Sequence, residues 1–114
     1  MISKHFKRVE FTCRCGCGFD TVDAELITVL EDLREWSGNY ILVTSGCRCI
    51  AHNESVGGSE LSQHVQARAA DVMVCGKTSK EVHDYLCERY PDKYGIGSYE
   101  TFTHIDTRTE RARW

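Results

Sequence analysis

An imidazole and a carboxylate separated by a short run of mostly small residues constrain this chain most. In Ser62-Gln63-His64-Val65-Gln66-Ala67-Arg68-Ala69-Ala70-Asp71 they are His64 and Asp71, and His104-Ile105-Asp106 brings a second such pairing near the C-terminus. A fold that uses these groups together must lay the segment of Asp71 beside the segment of His104. His64, Asp71 and His104 then form a three-ligand zinc set, the number of protein ligands that catalytic zinc keeps beside a water. Neutral imidazole and carboxylate suit that ion. The same residues also read as solvated or hydrogen-bonded side chains, and spacing alone does not separate the two readings.

The periodicity around these residues predicts an α+β fold. Val22, Leu26, Val29, Leu30, Leu33 and Trp36 recur at three- and four-residue steps, an apolar stripe on a helix capped by Thr21 or Asp23 and stopped at Gly38-Asn39. Tyr40 to Thr44 reads as a buried strand, and Ser45 to about Gln63 as a long polar loop interrupted by a short helix around Ile50 to Ser55. Arg68 to Val74 alternates as a second strand, and Thr78-Ser79-Lys80-Glu81 is a capping box for a helix ending near Tyr90, before Pro91. Tyr94 to Ser98 and Thr101 to Asp106 read as a hairpin joined through Tyr99-Glu100. Consecutive strands near the end favour a small antiparallel sheet flanked by helices. Phe6 to Phe11 is an irregular or briefly extended lead-in, and Trp36 is expected in the core.

Length and charge narrow the function classes. At 114 residues one domain over 1–114 is expected, with enough chain for a core of its own. The net charge of -3 argues against an electrostatic grip on nucleic acid. No apolar run approaches the roughly 18 residues of a membrane helix. Met1 to Arg8 has no apolar segment after its charges, so no signal peptide is expected and synthesis is placed in the cytoplasm.

Seven cysteines cannot all pair within one chain. Without an export signal, reduced thiols or a metal site are the natural states. Cys13, Cys15 and Cys17 alternate, as do Cys47 and Cys49. They read either as a structural metal site or as small buried residues with an adventitious disulfide. The two-residue spacer of zinc fingers is missing.

Ser45-Gly46-Cys47-Arg48-Cys49, His52-Asn53, Val56-Gly57-Gly58, Ser62-Gln63-His64, Ala69-Ala70-Asp71, Phe102-Thr103-His104-Ile105-Asp106 and Arg111-Ala112-Arg113-Trp114 form one ordered series. It resembles the zinc D-Ala-D-Ala carboxypeptidase family of peptidoglycan peptidases, from about residue 40 to the C-terminus. That family includes small phage and prophage endolysins, and the hedgehog signalling domain shares its fold. The resemblance implies a hedgehog/DD-peptidase-like domain with zinc on His64, Asp71 and His104, and attack by a zinc-bound water on an amide of a peptidoglycan stem peptide. It also implies that Arg48 binds substrate near the scissile carbonyl or a carboxylate, that Ser62 and Gln63 form polar walls, and that Asp106 orients His104.

Two departures from the family pattern stand out. Ala67 occupies a position where glycine is usual. Thr101 stands where several members carry a catalytic acid, three residues before the last histidine, so Glu100 or Asp106 must activate the water, with Glu100 the first choice. The expected bond is D-Ala-containing or L-Ala-D-Glu, and the expected protein is a monomeric phage or prophage product acting at the bacterial wall. The rivals are a zinc-binding pseudo-enzyme serving assembly or wall binding, and a cysteine-based structural zinc module. His52 is expected to brace its loop, His83 to face solvent, and Trp114 to pack over the sheet rather than bind substrate.

Overall fold

The computed structural model describes residues 1–59 and 61–114, so position 60 of the long loop lies outside the described residues. A 3-10 turn, η1 (Arg8–Phe11), is followed by α1 (Ala24–Ser37), β1 (Ile41–Ser45), α2 (Ile50–Ser55), β2 (Ala69–Val74), α3 (Ser79–Arg89), β3 (Gly95–Ser98), β4 (Thr103–Asp106) and β5 (Ala112–Arg113). The sheet runs β1-β2-β4-β3-β5, antiparallel except for the β3–β5 pair. The fold is α+β.

Local sequence accounts for most of these boundaries. Asp23 accepts a hydrogen bond from the Leu26 amide at the start of α1, and Gly38 ends that helix in the left-handed region. Leu26, Val29, Leu30 and Leu33 are the buried stripe. In α3 the hydroxyl of Thr78 accepts from the Glu81 amide while the Glu81 carboxylate accepts from the Thr78 amide, the reciprocal pair of a capping box. Val82 and Leu86 carry that helix onto the core.

The sheet divides the molecule. Ile41, Val43, Ala70, Val72, Val74, Ile96 and Ile105 share one core with the stripes of α1 and α3. Because successive strand residues point to opposite faces, Asp71, His104 and Asp106 project from the other face. Register brings them together: Asp71 lies opposite His104 on β4, and His104 lies opposite Gly97 on β3. Gly97 has no room for a Cβ, which would run into the Trp114 indole. The last residue of the chain therefore lies across β3, next to the histidine strand.

Four expectations are corrected by packing. β1 is an edge strand, so Tyr40 and Leu42 stay exposed (66% and 51%) and only alternate residues of the run are buried. Trp36 sits on the last turn of α1, stacked at 4.2 Å on Tyr85 with Lys77 Nζ 4.9 Å from its ring, and at 37% exposure is not a core residue. His83 is half-buried rather than facing solvent, with its ring against the Cys87 sulfur. The hairpin forms, but Tyr99 to Phe102 make a four-residue turn and β4 begins only at Thr103.

Candidate metal centre

Three ligand atoms converge on the sheet face opposite the helices. The Asp71 Oδ1 atom lies 3.0 Å from His104 Nδ1 and 3.3 Å from His64 Nε2. All three residues are buried. The far nitrogen of each imidazole is already committed. His64 Nδ1 sits 2.6 Å from the Gly46 carbonyl, and His104 Nε2 sits 2.7 Å from the Asp106 carboxylate. In the neutral imidazoles each of these nitrogens donates its proton outward, which leaves His64 Nε2 and His104 Nδ1 with lone pairs turned toward Asp71. Acceptor atoms that converge in this way are satisfied by a cation. For zinc with ligands at about 2.0–2.1 Å, a tetrahedral edge is roughly 3.4 Å, close to the spacing found. The donor set fits zinc in number, chemistry and spacing.

Backbone geometry holds these atoms in place. His64 lies in a series of turns from Ser62 to Arg68, its amide bound to the Ser62 hydroxyl at 3.2 Å and its carbonyl to the Arg48 amide at 3.0 Å. Ala67 adopts φ 61°, a left-handed conformation that costs an L-residue about 1–2 kcal/mol and explains why glycine suits this position. Asp106 is fully buried and accepts from Arg108 Nε and Nη2 at 2.8 and 2.7 Å, and from the Gly95 amide at 3.2 Å.

A cleft of about 410 Å³ opens above the cluster. Arg48 forms part of its wall. One guanidinium nitrogen is 3.6 Å from Asp71 Oδ2, and the other donates to Asn53 Oδ1 at 3.2 Å. Ser62 and Gln63 also line the cleft, with the Gln63 oxygen accepting from Arg68 Nε at 2.5 Å. The far side is aromatic. Tyr99 and Phe102 stack at 4.5 Å, the Trp114 indole donates to the Tyr99 hydroxyl at 2.8 Å, and Arg108 lies 5.4 Å from the Trp114 ring. Trp114 thus packs over the sheet and lines the cleft at once.

The structure brings together His64, Asp71, His104, Arg48, Ser62 and Gln63, and places Asp106 behind His104. It does not bring Glu100 there: Glu100 is exposed in the β3–β4 turn and does not line the cleft. Glu100 needed a bulge or turn to reach the metal, and the turn that forms leaves it exposed outside the cleft. His52 caps no loop with its ring among the described residues; Asn53, buried beside it, does so instead, through Arg48 and the Ser59 carbonyl. The signal for Asn53 was a polar residue followed closely by Gly57-Gly58, since a Cβ at Gly58 would overlap the Asn53 amide. Tyr99 and Arg108 gave no sequence signal, and Phe102 stood in the motif series without a role, because their place at the cleft is set by how the chain turns around β4.

A family model for Peptidase M15 matches residues 4–106. The chain belongs to the Peptidase M15 family. No curated protein matches it. M15 peptidases are zinc-dependent metallopeptidases, and the His64, Asp71 and His104 set is one of two clusters among the described residues able to hold a metal. No helix among the described residues is long and apolar enough to cross a membrane.

The M15 cluster imposes two opposed pH dependences. Burial alone would lower the His104 pKa, but the Asp106 and Asp71 carboxylates outweigh it and raise the value. In the metal-free protein that interaction stabilises fully below about pH 6.5, the unfolded histidine value, and fades as pH rises through the higher folded value. Asp71 and Asp106 are held well below the carboxylate range despite burial, chiefly by hydrogen bonds from His104, His64 and Arg108. Their contribution is present above about pH 4 and is lost as pH falls further. Zinc needs the imidazoles deprotonated, so its added stability grows with pH. Thermal melts with chelator are expected to peak between about pH 4 and 6.5, and the increment in Tm on adding zinc is expected to rise from pH 5 to 8. An increment independent of pH would contradict the assignment of these ligands.

Proposed function

We propose that this chain hydrolyses an amide bond in peptidoglycan stem peptides, either D-Ala-containing or L-Ala-D-Glu, as a monomer acting at the bacterial wall. The observation that carries the reading is Arg48, whose guanidinium reaches over the Asp71 carboxylate at the floor of an open cleft. A planar cation there can clamp a substrate carboxylate through paired donors or stabilise the oxyanion that develops as an amide carbonyl is attacked. Its orientation is fixed from behind by Asn53 and Ser45, so little freedom is lost when substrate binds.

His64, Asp71 and His104 would hold the zinc, which when bound would supply a Lewis acid and lower the pKa of water to about 7. The remaining roles belong to side chains of the protein. Tyr99, Phe102 and Trp114 offer an apolar wall on which a peptide backbone can rest, opposite the polar wall of Ser62 and Gln63. Stem peptides carry free carboxylates close to their scissile amides, which is the chemistry Arg48 answers. The cleft is open at the side, which suits a tethered polymer substrate.

Mass-spectrometric analysis of purified peptidoglycan, digested by the zinc-loaded protein beside a His64→Ala control, tests the proposal. New stem-peptide fragments absent from the control are expected, and their masses name the bond. Glu100→Gln is expected to leave fragment yield nearly unchanged, since that carboxylate lies outside the cleft. No fragments from a folded, zinc-loaded protein would overturn the proposal.

A further inference from the structure

A second group of metal-ligating side chains lies away from the cleft's cluster. The sulfurs of Cys13, Cys15, Cys17 and Cys49 all lie within 4.8 Å of one another. Cys13 and Cys15 are 3.5 Å apart, and Cys15 and Cys49 3.6 Å. Four thiolates around one zinc at about 2.3 Å define a tetrahedron with edges of roughly 3.8 Å, so these separations need little adjustment. The remaining cysteines stand apart. Cys47 turns its sulfur to the Phe11 and Phe19 carbonyls, and Cys87 lies against His83.

Backbone geometry favours the metal over a set of plain thiols. The chain turns at Gly16 and Gly18, with φ of 84° and 90°, so three cysteines within five residues face a common centre although the segment is not extended. The Cys49 amide donates to Cys13 Sγ, and the His52 amide donates to Cys49 Sγ, each at 3.4 Å. Amide donors on sulfur favour the thiolate that binds metal. Every ligand is therefore a cysteine, and two of the four carry a backbone donor.

From this geometry we propose a structural zinc site on Cys13, Cys15, Cys17 and Cys49, separate from the zinc of the cleft. Its place in the chain gives it a purpose. Cys49 directly follows Arg48, and Gly46, whose carbonyl holds His64, lies three residues before it. The other three ligands belong to the segment around η1, which also pairs with this loop through the Cys47 amide and the Phe11 carbonyl at 3.0 Å. Closing the four cysteines on one ion staples the N-terminal segment to the loop that presents Arg48 and orients His64. All-thiolate sites with four protein ligands leave no position for a water and do no hydrolysis.

Metal counting on the protein purified under reducing conditions tests the site without reference to peptidase activity. Two zinc equivalents per chain are expected, one surviving His64→Ala and one surviving Cys15→Ser. Cobalt substitution of the His64→Ala protein is expected to give the strong near-ultraviolet thiolate-to-cobalt absorption of a tetrahedral sulfur site, lost in His64→Ala/Cys15→Ser. If Cys15→Ser does not fold, the cobalt spectrum and the metal count of the His64→Ala protein decide alone. A single equivalent that disappears with His64→Ala, or cysteines found in disulfides in the metal-loaded protein, would overturn the proposal and leave the cleft reading untouched.

Discussion

Asp71→Asn is expected to empty the cleft of zinc and to lower kcat/KM on stem peptides by at least about a thousandfold. Asp71 is the one carboxylate of the ligand set, and its two oxygens serve three partners: His104 and His64 through Oδ1, and Arg48 through Oδ2. Asparagine keeps the shape but can offer the ion only a neutral carbonyl, or turn its amide protons onto the imidazole lone pairs. Even groups that only orient a ligand cost about 10–100-fold when removed, so loss of a direct ligand should exceed that. The substitution also leaves Arg48 without its charge partner in a half-buried wall, which adds a rise in KM. Metal content, circular dichroism and steady-state kinetics check the three parts separately. Retention of cleft zinc with near-normal rates would remove Asp71 from the ligand set.

The sheet explains why so much can hang on one residue. β2 and β4 each carry alternating side chains, so one face is given to the core and the other to the cluster. Ala70 and Val72 anchor Asp71 from below, and Ile105 does the same for His104. Asp71 and His104 are thus fixed by burial of their neighbours, whereas His64 is held by its own turns and by the Gly46 carbonyl. The loop from Ser45 to Gln63 supplies groups that meet substrate or steer a histidine, among them Arg48, the Gly46 carbonyl and, at its end, Ser62 and Gln63.

That division also decided what could be read from the sequence. The α1 stripe and the α3 capping box follow local rules, and both helices lie where those rules put them. The pairing of Asp71 with His104 is not local; a separation of 33 residues says nothing until β2 and β4 are laid side by side. Only the ordered series of motifs supplied that, through resemblance. Glu100 needed a bulge or turn to reach the cluster, and the four-residue turn that forms, in place of the expected two-residue connection, leaves it outside the cleft. β5 spans two residues and has no periodicity to detect, yet it carries Trp114 to the cleft. Trp36 fits its helix stripe, but on the last turn of α1 its indole stacks on Tyr85 and stays partly exposed.

Asp106→Asn separates two roles that the sequence left open for that residue, proton transfer and orientation of His104. The carboxylate is fully buried and accepts from His104 Nε2, both arms of the Arg108 fork and the Gly95 amide. With these acceptor positions filled and no exposure, it cannot approach a substrate in the cleft. Breaking a buried ion pair by removing one charge costs about 3–5 kcal/mol, and Arg108 is 30% exposed, so partial rehydration favours the lower end. At about 4 °C per kcal/mol for a chain of this size, a fall in Tm of roughly 12 °C is expected. The amide no longer fixes the His104 tautomer, so zinc affinity at the cleft should fall about 10–100-fold. Excess zinc should then restore much of the lost rate, because the reacting groups are intact. A fall in kcat with unchanged zinc affinity and no rescue would instead give Asp106 the proton-transfer role.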